Sequence, residues 1–367
     1  MSAATPSAPT RVSLLRPLLV FALLIPVGVL FGQAWQGQSD RLSFAAKERH
    51  GIEYLTTLGQ VTTALTDAQS AAVAGRQVDR AAVTRAVDAT TAVDDRLGED
   101  LRTSERWSGL RVKIEALASV PPGDRGRIYD AYGEVTDLLL ALYGKVRENS
   151  QLIRDPEADT YFLQDGAAEE LPESVVAAGR FADLVVLAAR RPASERAAAI
   201  SDLNAARSGV LDPAADLADD LQSAVDSTES RTLGGNLLSR LDRFRRSMDG
   251  LAASAGSLDG RSSLPPTDRL NSARVEMQAA ASELSNSILA ELDVLIADRQ
   301  SSVRGERVIS LAAFALAVLG CAVPILLALA RRRRRRRPFG GPHRPAPARA
   351  AAQERNESEW EPVGAAR

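Results

Sequence analysis

Ile128 to Asn149 reads IYDAYGEVTDLLLALYGKVREN, and within it Ile128, Tyr132, Val135, Leu139, Leu142 and Val146 recur at spacings of 4, 3, 4, 3 and 4. Residues three and four apart share a face of an α-helix, so this is a helix with one apolar seam. Asn149 continues the seam, where a buried amide would fix helix register, a ligand contact being the weaker use. The same spacing recurs outward in both directions. Ile52, Leu55, Leu58, Val61, Leu65, Ala68 and Ala72 keep one face, as do Leu238, Leu241, Phe244, Met248 and Leu251, and Ala281, Leu284, Ile288, Leu292 and Leu295. No segment alternates with period two. Aromatic residues make up only 4% of the chain, which suits helices packed through Ala and Leu better than sheets.

Breaker clusters divide the helical pattern at Val120-Pro121-Pro122-Gly123, Asp155-Pro156, Arg191-Pro192, Asp212-Pro213, Gly234-Gly235 and Gly256 to Pro266. The expected fold is therefore all-α, an antiparallel bundle of about six or seven helices over residues 36–306.

Two apolar runs flank that bundle. Val308 to Ala330 (VISLAAFALAVLGCAVPILLALA) is uncharged and long enough to cross a hydrocarbon layer. Pro17 to Trp35 (PLLVFALLIPVGVLFGQAW) is shorter, follows Arg11 and Arg16, and ends in a Trp suited to an interface. It reads as an uncleaved anchor, the rival being a signal peptide cleaved near Gly32 and Ala34. Residues 1–16 and 331–367 carry the basic flanks, so both termini are expected in the cytoplasm and the bundle outside it. Arg331, Arg332, Arg333, Arg334, Arg335, Arg336 and Arg337 form a membrane-anchoring run, with anionic lipid as a further partner. From Thr267 to Arg304 there is no Pro or Gly, so the last helix is expected to run on into the second span, with Gly305 the weak point. The end of the chain, rich in Pro, Ala, Gly and charge, reads as a disordered tail.

The net charge of −2 conceals a segregation: Trp35 to Glu306 holds 43 acidic and 31 basic residues, whereas Arg331 to Arg367 holds 11 basic and 4 acidic. An acidic central region argues against a nucleic-acid partner. The one cysteine, Cys321, rules out an intrachain disulfide. With His50 and His343 the only histidines, a His-based metal site is not expected, and neither is any cofactor. There is no Gly-x-Ser-x-Gly elbow and no phosphate-cradling Gly loop, so no enzyme is read here.

The richest local signal is Leu152 to Asp165 (LIRDPEADTYFLQD), followed by Leu171-Pro172-Glu173. Asp155-Pro156 reads first as a helix start, an N-cap acceptor followed by Pro at the first helical position. The aromatics beyond it would then face the bundle. Alternatively, Asp155, Asp159, Tyr161 and Asp165 line a small-ligand pocket between helices. Carboxylates favour a cationic or hydroxyl-bearing ligand; an organic acid would need Arg154 or Arg180 instead.

This stretch, together with Lys47 to Leu55 (KERHGIEYL), resembles the extracytoplasmic helical sensor domains of bacterial chemoreceptors, sensor histidine kinases and diguanylate cyclases, including the helical bimodular type. The similarity is to K-E-x-x-G-x-x-Y-L and to L-I-x-D-P-x-x-D-S-Y-Y-L-M-D followed by L-P-E-L. Thr160, Phe162, Gln164 and Ser174 depart from it. Those proteins continue into a HAMP linker and an output module, for which only 37 residues remain after Ala330. The resemblance implies a bacterial inner-membrane receptor that binds a small molecule or protein and relays a helix displacement to a separate cytoplasmic signalling partner, with a homodimer as one arrangement. The alternatives are an envelope scaffold that senses nothing and the remnant of a receptor that has lost its output.

Overall fold

The computed structural model describes residues 12–154, 158–192, 195–228, 233–256 and 266–335. Among them the regular structure is helical throughout: α1 (Val12–Ala74), α2 (Arg80–Leu97), α3 (Ser104–Ala116), α4 (Arg125–Asn149), α5 (Ala158–Asp165), α6 (Leu171–Ala189), α7 (Arg196–Ser227), α8 (Leu233–Ser254) and α9 (Thr267–Arg335). The chain divides into a unit of residues 29–312, which holds the bundle, and a unit of residues 1–28 with 313–367.

α1 is the hub of the bundle. α9 runs antiparallel to it, pairing Arg49 with Asp293 and Thr66 with Gln278. α4 is antiparallel to it as well, with Thr62 against Tyr143 and Gly51 against Ser150, while α6 lies parallel, with Gly179 on Thr66. α7 packs on α6 and α8 on α7. All six seam residues of α4 are buried, as are Ile52, Leu55, Leu58, Val61, Leu65 and Ala68 of α1. On α8 the seam is corrected by one position: Leu237 is buried and Leu238 is exposed.

The helix ends correct the expected breaks. α7 continues through Pro213. A proline within a helix forfeits a hydrogen bond, at a cost of about 3 kcal/mol. Burial of Val210, Ala214 and Leu217 on either side of it holds the helix straight through. Gly234 and Gly235 fall inside the first turn of α8 rather than ending a helix. Two further breaks carry no proline. α1 ends at Gly75, whose φ of +78° suits glycine and lets the amide of Arg76 return to Ala71 O at 2.7 Å. Asp79 then caps α2, its side chain accepting from Ala82 N. α2 gives way to α3 through Arg102, with φ of 52°, and Asn149 closes this turn by donating its amide to Leu101 O at 2.8 Å. The count of helices therefore exceeds the six or seven expected. Asp155 and Pro156 lie outside the described residues.

One helix among the described residues, α9, is long and apolar enough to cross a membrane, and its most apolar stretch is wholly unburied. It passes Gly305 without interruption. α1 is likewise continuous from the Pro17 to Trp35 run into the bundle, and Leu23, Ile25, Val29 and Leu30 on it are exposed.

Candidate functional site

The segments around Glu48 and Thr160, more than a hundred residues apart in sequence, meet inside the bundle. The Glu48 side chain is fully buried, a costly position for a carboxylate unless it is paired. Gln164 of α5 donates Nε2 to its Oε1 at 3.2 Å, and Arg299 of α9 approaches its Oε2 at 3.4 Å. Arg299 also donates to Thr160 Oγ1 at 3.1 Å. Three helices are thus tied in one register at a buried ion pair. One turn further along α1, Gly51 faces Ser150 so closely that a Cβ there would stand 2.5 Å from the serine Cβ and 2.9 Å from Leu152. Tyr54 donates its hydroxyl to Asp94 Oδ1 at 2.8 Å, and Thr103 donates to the same oxygen at 2.8 Å. Burial raises the Tyr54 phenol far above its ordinary range, so it acts only as a donor to this carboxylate.

Of the residues singled out in the sequence, Asp165, Tyr161 and Arg180 have described side chains, and Asp165 and Arg180 hold different partners. Asp165 pairs with Arg147 of α4, which also takes Glu169. Tyr161 is half-buried, its ring edge-on to Phe162 with centroids 5.5 Å apart. Arg180 pins α6 to α4 instead, donating to Gly133 O at 2.9 Å, Thr136 Oγ1 at 2.7 Å and Asp137 Oδ1 at 2.6 Å. Gly133 and Arg147 are separated by about 21 Å along α4, so Arg180 and Asp165 belong to different places. Arg154 and Asp159 are described in backbone only, at the end of a 3₁₀ turn and in the first turn of α5, and Asp155 lies outside the described residues. Of the arginine run, Arg331 to Arg335 continue the α9 backbone, while Arg336 and Arg337 lie outside the described residues.

A single π-helical turn, Gly166–Glu170, follows Asp165 and crowds Asp165, Glu170 and Asp220 until their oxygens lie within 4.8 Å of one another. Protonation relieves that crowding. Burial, with the charges of Asp165 and Asp220, pushes Glu170 up to about 7, and burial with Asp165 pushes Asp220 up to about 6.

Two polar features gave no sequence signal because their members come from different helices. In the first, Arg274 of α9, almost wholly buried, donates to Asp67 Oδ1 at 2.9 Å and to Gln278 Oε1 at 2.6 Å. Gln278 in turn donates to Thr63 O at 3.0 Å. Asp183 of α6 lies against this group, bordering a small cavity of about 200 Å³ shared with Ser70, Arg76 and Arg274. Burial pushes its carboxyl up to about 7, opposed by Ser70, Arg274, Gln69 and Arg76. The second is a cleft of about 740 Å³ bordered by α1, α2, α3 and α4.

Comparison with protein-family models, with curated proteins and with solved structures finds no match for this chain. The resemblance to helical sensor domains rests on the residues quoted above.

Proposed function

We propose that this chain is a receptor-like protein of a bacterial inner membrane. It spans the membrane with α1 and α9, keeps both termini in the cytoplasm and holds the bundle outside. Binding in the bundle displaces α1 relative to α9, and the displacement is read by a separate signalling partner. The observation that carries this reading is the buried Glu48–Arg299 pair, which joins the two helices that continue into apolar runs. A second row of contacts supports it where those runs begin. Arg307 stacks on Trp35 at 3.7 Å, Arg307 donates to Ser39 at 2.8 Å, and Gln38 donates to Ser310 at 3.2 Å. A shift of one helix against the other must break or re-form these contacts.

The test has two arms, both on the full chain with Cys321→Ala as background. In intact cells a membrane-impermeant maleimide is expected to label Ser108→Cys and to leave Ser358→Cys unlabelled until the cells are opened. The reverse pattern overturns the topology. In vesicles the Gln38→Cys/Ser310→Cys pair is expected to form a disulfide whose rate changes with a bound ligand drawn from organic acids, amino acids, amines or inorganic anions. A rate that no compound alters at millimolar concentration, together with stable crosslinks to an envelope protein, would replace the receptor reading with scaffolding.

A further inference from the structure

The cavity between α1, α2, α3 and α4 is chemically two-sided. Leu65, Val83, Val87, Ile114, Ile128 and Tyr132 give it apolar walls, and four arginines, Arg76, Arg80, Arg111 and Arg125, line it against two acids, Asp88 and Glu115. Its volume of about 740 Å³ falls within the ~300–1,000 Å³ typical of small-molecule sites. The space opens to solvent and is a cleft rather than a sealed void.

Guanidiniums outnumber carboxylates in this lining, so the cleft is net cationic. The Arg111 side chain is about two-fifths exposed and Arg125 is half-buried, so neither guanidinium is sealed in the core. Glu115, one turn along α3 from Arg111, stands 4.0 Å from its Nε, a loose ion pair between exposed side chains. Gly75 lies beside Arg125: a Cβ at this position would stand 2.8 Å from Nη2, the far end of that flexible side chain.

We infer that this cleft binds an organic carboxylate with an apolar body, the carboxylate taken by Arg111 and Arg125 and the body lying along the valine and isoleucine walls. Guanidinium supplies the paired donors that a carboxylate accepts, and the water-shed walls reward an apolar body over acetate. The assignment rests on the receptor reading for its purpose, while its geometry is independent of that reading.

The experiment uses the full chain in lipid nanodiscs, with 3-phenylpropionate as the probe and acetate, 3-phenylpropanol and 3-phenylpropylamine as comparators. Saturable binding of 3-phenylpropionate by calorimetry is expected, accompanied by a rise in Tm, with at least tenfold weaker binding of each comparator. Arg111→Gln and Arg125→Gln are each expected to weaken binding about tenfold, and Arg127→Gln, outside the cleft, to leave it unchanged. Thr84→Trp, an exposed position at the cleft, is expected to block binding without lowering the unliganded Tm. No saturable binding by folded protein overturns the site, as does binding that the alcohol matches or that the cleft variants leave intact. The Gln38→Cys/Ser310→Cys disulfide rate separates the two ideas. Binding without a change in that rate leaves the site standing and sinks the relay, whereas a rate that responds only to another compound does the opposite.

Discussion

The two ends of the bundle segment of α1 are built on opposite terms. Between Glu48 and Tyr54 the helix buries charge and hydroxyl groups against α2, α5 and α9, and its one glycine there is overlain by Ser150. Between Leu65 and Gly75 it borders an open cleft lined by arginines. Close packing with engaged polar groups fixes a register; a cationic cleft open to solvent leaves room for a guest. In the relay proposed above, the first end would carry the displacement and the second would receive its cause.

Removing Glu48 tests the rigid end most severely. Glu48→Ala leaves the Arg299 guanidinium buried beside a void, and loss of one partner of a buried pair costs about 3–5 kcal/mol. Urea denaturation of the full chain is expected to show that loss, with most of it recovered in Glu48→Leu/Arg299→Leu. A loss under about 1 kcal/mol would mean that the pair does not tie α1 to α9.

Next in size is Gly51→Val, which forces two methyls into the side chains of Ser150 and Leu152. Overpacking of this kind costs typically about 1–3 kcal/mol. Gly59→Ala is the matched control, because nothing lies within 4 Å of the added Cβ. It is expected to stabilise by about 0.5–1 kcal/mol through helix propensity alone. If the two variants behaved alike in thermal melts, the contrast between tight and open stretches of α1 would collapse.

The rigid end was half legible in the sequence and the cleft hardly at all. The α4 seam declared itself because burial on a helix recurs every three or four residues. Glu48, Gly51 and Tyr54 stood out only as part of a resemblance, and nothing in their spacing points to Arg299, 251 positions away. Arg147, which holds Asp165, is hidden for the same reason: the partner sits on another helix, and packing alone decides the meeting. Gly75 carries no proline beside it, so the end of α1 that shapes the cleft left no conspicuous breaker. Pro213, the opposite case, is a strong local signal overruled by burial on both sides.

Asp183 offers a pH-dependent reading of the polar group near the far end of α1. Its folded-state pKa of about 7 lies above its ordinary 3.8, so the native state holds a proton that the unfolded chain has released. Its contribution to stability is therefore greatest in acid, falls as pH rises from about 4 to about 7, and is level above that. Asp183→Asn is expected to remove this slope, at most ~1.4 kcal/mol per pH unit, from denaturation curves collected across that window. A stability difference between wild type and variant that stays constant with pH would show that Arg274, Arg76, Ser70 and Gln69 keep the carboxylate charged.

The smallest effect is expected from a pair on the same two helices as Glu48 and Arg299. Arg49 forks onto Asp293 at 2.7 and 3.3 Å, better geometry than the buried pair has, but both side chains are more than two-fifths exposed. Water screens the attraction, and holding two long side chains still costs entropy, so exposed pairs contribute ~0–1 kcal/mol. Arg49→Gln is expected to shift the urea midpoint by a small fraction of the shift from Glu48→Ala, and that small shift should shrink further in high salt. Equal losses from the two variants would mean that ion pairing as such joins α1 to α9, and that burial adds nothing to the register it fixes.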